Sequence, residues 1–250
     1  MSPQTACFIV IGNEILSGRT QEANTVVLAQ ALNRQGIKLD EIRTIPDIEE
    51  RIVSTINDCR ARFDFVFTSG GIGPTHDDIT SESVARALKV PFVCHQETYD
   101  LLRNAFKPGT FNQAGQRMAW FPEGAEPIRS SVSIAPGFSI ANIYVMAGVP
   151  TIFRSMVEWL IPRLPKGAPL CSKAWYGYNI YESRIANSLS ELQKAYPMLD
   201  LGSYPFNHGD KKGVALVAKG YDEKAVEEAG AKLRLIIESI EVTPFEGEPL

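Results

Sequence analysis

Between Thr68 and Thr80 the chain reads TSGGIGPTHDDIT, in which Gly70, Gly71 and Gly73 are followed by two adjacent carboxylates, Asp77 and Asp78. Glycines let backbone N–H groups approach a bound anion, and a helix starting just after them presents partial positive charge at its N-terminus. That combination suits a phosphate, with Ser69, Thr75 and His76 as further polar contacts to the same ligand. The acids need a separate explanation, because neighbouring carboxylates repel and a helix needs only one cap. A hard cation bridging them to a ligand phosphate would supply it, since magnesium takes one or two carboxylates plus phosphate oxygens. The plainer alternative is a tight turn in which Asp78 or Thr80 caps the helix.

A second loop, Gly12-Asn13-Glu14-Ile15-Leu16-Ser17-Gly18, ends the first apolar run, and Asn24 opens the helix beyond it. Glu14 is either a solvated loop acid or a third carboxylate, a metal ligand or base, facing the same sheet end. Asn24 is either an N-cap or, like Ser17, a ligand contact. If the strands before the two loops are neighbours, both loops line one crevice outside the carboxyl ends of a parallel sheet. Other chemistry is excluded by pattern: the chain has no GxSxG elbow, no Walker loop and no HExxH, and Gly71 to Gly73 is half of a dinucleotide fingerprint. His208 in FNHGDKK falls in a hairpin-like turn, a solvated position. Trp175, Tyr176 and Tyr178 alternate along a strand as core or cover.

The elements that must position these loops follow from hydrophobic periodicity. ACFIVI (6–11) is a buried strand, and 24–35 is a helix with Val27, Ala31 and Leu32 on one face, stopped by Gly36. Strand 37–45, a helix from an Asp47/Glu50 capping box to about Arg60, and strand FDFVFT (63–68) repeat the plan. Strands joined by helices of this length are parallel, which predicts a three-layer αβα domain. Helices over 95–106 and 111–119, a strand over 143–147 and a helix carrying Phe153, Met156, Val157 and Leu160 complete it. KGAP is a linker, placing the boundary between residues 167 and 168. Beyond it, strand, helix, strand, strand and helix predict a small α+β domain, with TPFEGEPL as a loose tail.

The 250 residues are 44% hydrophobic with a formal net charge of −4, the charges interspersed rather than in blocks. This argues against a nucleic-acid groove or a membrane-binding patch, and no stretch is long enough to cross a bilayer. Cys7, Cys59, Cys94 and Cys171 form neither a CxxC nor a Cys/His cluster and read as reduced core thiols. With no basic leader before the first strand, the expected compartment is the cytoplasm.

These motifs, in order, resemble the MoaB/MogA molybdopterin-binding family and its CinA-type branch: IGNEILSG (11–18), SGGIGPTHDDIT (69–80), NQAGQRMAWFPEGA (112–125), APGF (135–138) and MAGVP (146–150). The remainder, with LGSYPF at 201–206, is similar to the small domain that follows this fold in CinA-like proteins and in FAD synthases. The resemblance implies a metal-dependent pyrophosphatase acting on ADP-ribose or a dinucleotide such as FAD. Magnesium, manganese or cobalt would be the metal and potassium a second ion, with Asn112 among the ligand contacts and a homo-oligomeric assembly. It implies as an alternative a protein that binds or adenylylates molybdopterin. Ile72 stands where the molybdopterin-handling relatives have threonine, which removes a hydroxyl and weakens that alternative.

Overall fold

The computed structural model describes residues 3–107, 109–209 and 211–249. The chain divides into two compact units, residues 1–167 and 168–250.

The first unit opens with β1 (Gln4–Ile11), a short helix α1 (Asn13–Leu16), α2 (Asn24–Gln35), β2 (Ile37–Ile45), α3 (Glu49–Arg62), β3 (Phe65–Ser69) and α4 (Thr80–Leu88). There follow β4 (Phe92–Cys94), α5 (Gln96–Ala105), α6 (Gln113–Arg117), β5 (Trp120–Pro122), β6 (Glu126–Ile128), β7 (Gly137–Ile140), β8 (Ile143–Met146) and α7 (Pro150–Leu160). The main sheet has the order β2-β1-β3-β8-β7-β6. Pairing is parallel from β2 through β8, as expected for strands that helices connect, whereas β7 and then β6 extend the sheet antiparallel, with β6 at the edge.

Alternate residues of the central strands feed two cores, one on each face of the sheet. Ala6, Phe8 and Val10 of β1 join Leu28 and Leu32 of α2 and Phe153, Met156 and Leu160 of α7. Cys7, Ile9 and Ile11 join Ile52 and Ile56 of α3 and Val84 of α4. This is the three-layer αβα arrangement, and burial on both faces explains the continuous apolar runs of β1 and β3. Gly36 ends α2 in the left-handed conformation (φ 80°), which favours glycine.

The second unit contains β9 (Cys171–Tyr178), α8 (Glu182–Ala195), β10 (Asp200–His208), β11 (Lys211–Gly220), α9 (Glu223–Ser239) and β12 (Phe245–Glu246). Its antiparallel sheet, β10-β11-β9-β12, buries Val214, Leu216 and Ala218 against Ile185, Leu233 and Ile237 of the helices, giving a small α+β sandwich. The tail is not loose. Phe245 pairs with Tyr176 in the sheet and stacks on its ring at 5.3 Å, because the apolar ring finds an aromatic neighbour on β9. The His208 side chain lies outside the described residues.

Candidate functional site

β1 and β3 are adjacent and parallel, so the loops after them open at the same end of the sheet. They line one cavity of about 600 Å³ together with the loop after β8. Four carboxylates reach it: Glu14 and Asp47 from the loops after β1 and β2, Asp77 and Asp78 from the glycine loop. Its remaining wall is largely apolar, with Ile72, Met118, Pro136 and Val149.

The glycine turn has its shape for steric reasons. Gly70 sits at φ 105°, and a Cβ there would fall 2.1 Å from the Ile11 carbonyl oxygen. Gly71 sits at φ 69°, and a Cβ would fall 2.1 Å from Thr80 Oγ1. Both positions exclude side chains by conformation and by space. The turn is tied down by Gly70 N–H donating to the Met146 carbonyl (3.1 Å) and Thr80 N–H donating to the Gly71 carbonyl (2.9 Å). The segment from β3 into α4 is therefore held by the chain's own backbone bonds.

Neither Asp78 nor Thr80 caps α4, whose N-cap is Ile79 with no side-chain hydrogen bond. The carboxylates converge instead on Thr75. Its hydroxyl lies 2.6 Å from Asp77 Oδ1 and 2.6 Å from Asp78 Oδ2, and its N–H donates to the same Asp78 oxygen at 2.8 Å. One hydroxyl has one proton, so it satisfies one acid at a time. That bond holds the Asp77 carboxyl below the usual aspartate range. Each acid is thus left with oxygen lone pairs that the loop itself does not use.

Asp47 is the site residue that sequence reasoning missed. The capping box predicted for it does not form: α3 has Ile48 as N-cap, and Asp47 Oδ2 accepts from the Asn13 N–H at 2.8 Å. Asp47 thus anchors the start of α1, the helix that carries Glu14. Burial first, then repulsion from Glu14 and Asp77, pushes its carboxyl above the ordinary range. No spacing in the sequence signals this, because the contact joins residues 13 and 47 across parallel strands.

Asn24 is buried and, contrary to the N-cap reading, is the first residue of α2, with Ala23 as N-cap. The Glu22 carboxylate takes the free N–H groups of Asn24 and Thr25. The Asn24 amide nitrogen donates to Ser69 Oγ (2.8 Å) and to the Gly148 carbonyl (2.9 Å), stapling three loops, while its Oδ1 is buried without a partner. Asn24, Ser69 and Glu14 border a smaller cavity of about 50 Å³.

The other expected contacts divide between the cavity and positions away from it. Gly73 and Thr75 are in the cavity wall; His76 projects from the loop tip, 97% exposed and 3.9 Å from Asp77. Ser17 is exposed, its hydroxyl donating to the Glu14 carbonyl at 3.3 Å, and Asn112 caps α6 by accepting from the Gly115 N–H at 3.1 Å. Among the described residues no three His, Cys, Asp or Glu side chains form a ready metal cage, so Glu14 does not join Asp77 and Asp78 as a third ligand in this arrangement. The donor set, two adjacent carboxylates with unspent oxygen valence, nevertheless suits a hard cation that keeps most of its water or takes ligand phosphate.

Residues 7–166 match the family described as "Probable molybdopterin binding domain", and residues 169–246 match "FAD synthase, middle domain". A protein of Archaeoglobus fulgidus is 33% identical over 86% of this chain and 95% of its own length. A CinA-like protein of Anaeromyxobacter dehalogenans is 33% identical over 62% of this chain, which spans 40% of that longer relative. The crystal structure of the Thermoplasma acidophilum protein CinA superposes with a TM-score of 0.59 at 25% identity, over 63% of this chain and 96% of that one. The chain therefore belongs to the MoaB/MogA molybdopterin-binding family, in its CinA-type branch.

Proposed function

We propose that this chain is a metal-assisted hydrolase of a nucleotide pyrophosphate, with ADP-ribose and FAD as representative substrates. The observation that carries the reading is the placement of four carboxylates around a preformed glycine turn in a single cavity. The family supports binding of a small molecule of nucleotide or pterin type. The acids favour one that is itself anionic and brings a cation.

In this reading the backbone of Gly70, Gly71 and Gly73 holds phosphate oxygens, and the N-terminus of α4 adds its partial positive charge. Asp77 and Asp78 hold magnesium, manganese or cobalt. Bound there, such a cation would supply charge neutralisation at the diphosphate and acidify a water. Thr75 keeps the two carboxylates in register. Glu14, which lines the same cavity, would accept the proton of the attacking water. Asp47 fixes Glu14 by anchoring α1. Attack at one phosphorus breaks the bridging P–O bond and releases two monophosphates.

A second reading, a molybdopterin-binding protein without turnover, draws on the family description. Asp77→Ala and Asp78→Ala separate the two. The hydrolase loses metal-dependent cleavage of ADP-ribose and FAD in both variants, by about 10²–10³-fold, the usual cost of removing an electrostatic stabiliser of the transition state. Unchanged cleavage in both would reject the assignment. The proposed reaction is cytoplasmic, and the proposed assembly is a homo-oligomer.

A further inference from the structure

Beside the carboxylate cavity lies a second one of about 270 Å³, and the two share Ser133 and Pro136 as wall residues. Its lining brings together Leu101, Val132 and Ile134, which are 51%, 61% and 57% exposed. Single exposed aliphatic side chains are ordinary, but three converging on one concavity mark a place where something apolar rests.

The wall is preformed. The Ser130 hydroxyl oxygen accepts from the N–H groups of Val132 (3.0 Å) and Ser133 (3.1 Å). Ser131 meets the Ser155 hydroxyl of α7 through both its N–H (2.8 Å) and its own hydroxyl (2.9 Å). Because these bonds already fix the segment, a ligand entering there does not have to order it. The acid at this cavity, Glu97, is paired with Arg129 at 3.3 Å, so its charge is answered locally. The first cavity, with four carboxylates, suits phosphates and a cation. The second, aliphatic with hydroxyls and one neutralised ion pair, suits an uncharged flat ring with a sugar.

We propose that the Leu101/Val132/Ile134 pocket is the subsite for the nucleoside end of the ligand whose diphosphate occupies the glycine turn, passing between the two cavities beside Ser133 and Pro136. This rests on the proposed nucleotide pyrophosphate reading and adds where the second end of the substrate goes. The site selects two-ended ligands over bare diphosphate.

The test is calorimetry with the full chain and magnesium, using α,β-methylene ADP-ribose and methylenediphosphonate as non-hydrolysable probes, on the wild type, Leu101→Glu and Ile134→Glu. Both side chains are half exposed, so both variants should fold, and circular dichroism melting checks this. Each variant is expected to lower the ratio of the two affinities by about tenfold, roughly 1.4 kcal/mol. An unchanged ratio in both variants overturns the subsite. So does an unchanged ratio with a shifted sedimentation coefficient, which assigns the patch to a contact between copies of the chain. If the wild type binds neither probe, the nucleotide pyrophosphate reading has failed, and the subsite falls with it.

Discussion

The loops after β1 and β3 lie side by side and both bring acid to one cavity, yet their acids are held in different ways. The acid pair of the β3 loop is held from within. Thr75 gathers Asp77 and Asp78, Gly71 takes the Thr80 N–H, and the turn closes over a short stretch of chain. The β1 loop closes on itself too, through the Ser17 and Thr20 N–H groups, but the start of its short helix, which carries Glu14, is anchored by Asp47 beyond the end of β2. Two acids gathered by a hydroxyl of their own loop keep their place relative to each other. A loop anchored by another strand couples its acid to the rest of the sheet. In the proposed reaction the rigid pair accordingly serves the cation and the coupled acid serves the proton.

Substitutions can break this contrast. Gly70→Ala should have the largest effect, because its Cβ would meet the Ile11 backbone at 2.1 Å at a left-handed φ, at a cost of about 2–4 kcal/mol seen as a lower melting temperature. Gly12→Ala should cost under about 1 kcal/mol, because its backbone is extended and the three atoms nearest the added Cβ all belong to the movable Glu14 side chain, the first 2.6 Å away. Equal losses in the two variants would contradict the distinction.

Thr75→Val comes next. Removing the hydroxyl that orients the pair should weaken metal-dependent activity by about 10–100-fold, with little change in melting temperature. It should also let the Asp77 carboxyl rise toward the ordinary range, since that bond is the first cause of its depression. Titration of Asp77 by NMR in the two proteins measures the rise.

The smallest effect is expected from Asp47→Asn. The folded chain raises the Asp47 carboxyl, first by burial and then by repulsion from Glu14 and Asp77, so its ionised form costs stability. That cost appears as pH rises from the unfolded carboxylate range through the folded one, and is absent below both. The amide oxygen introduced by the substitution can still accept from the Asn13 N–H. The variant should therefore melt slightly higher than wild type at neutral pH, with the gap closing on acidification. A gap that widens toward acid would contradict burial and repulsion as the cause.

What the sequence made legible follows the same contrast. The αβα layers were readable because burial on both faces of β1 and β3 writes itself as continuous apolar runs. The acid pair of the glycine loop was readable because the bonds that gather it run between near neighbours in sequence, whereas the tie from Gly70 to Met146 was not. Asp47 was not readable. Its partner is 34 residues away, and its spacing to Glu50 matched a helix cap that does not form. The staple made by Asn24 was hidden for the same reason, as it joins residues 69 and 148. The tail escaped because one phenylalanine, Phe245, finds its partner only in the folded sheet.

The most direct test of the proposed hydrolysis is product identification on the wild-type chain, incubated with ADP-ribose and with FAD in magnesium, manganese or cobalt and with chelator. Cleavage of the bridging P–O bond is expected only with metal, giving AMP and ribose 5-phosphate from ADP-ribose and AMP and FMN from FAD. Tight binding of either nucleotide with no product in any metal would contradict hydrolysis and leave a binding protein.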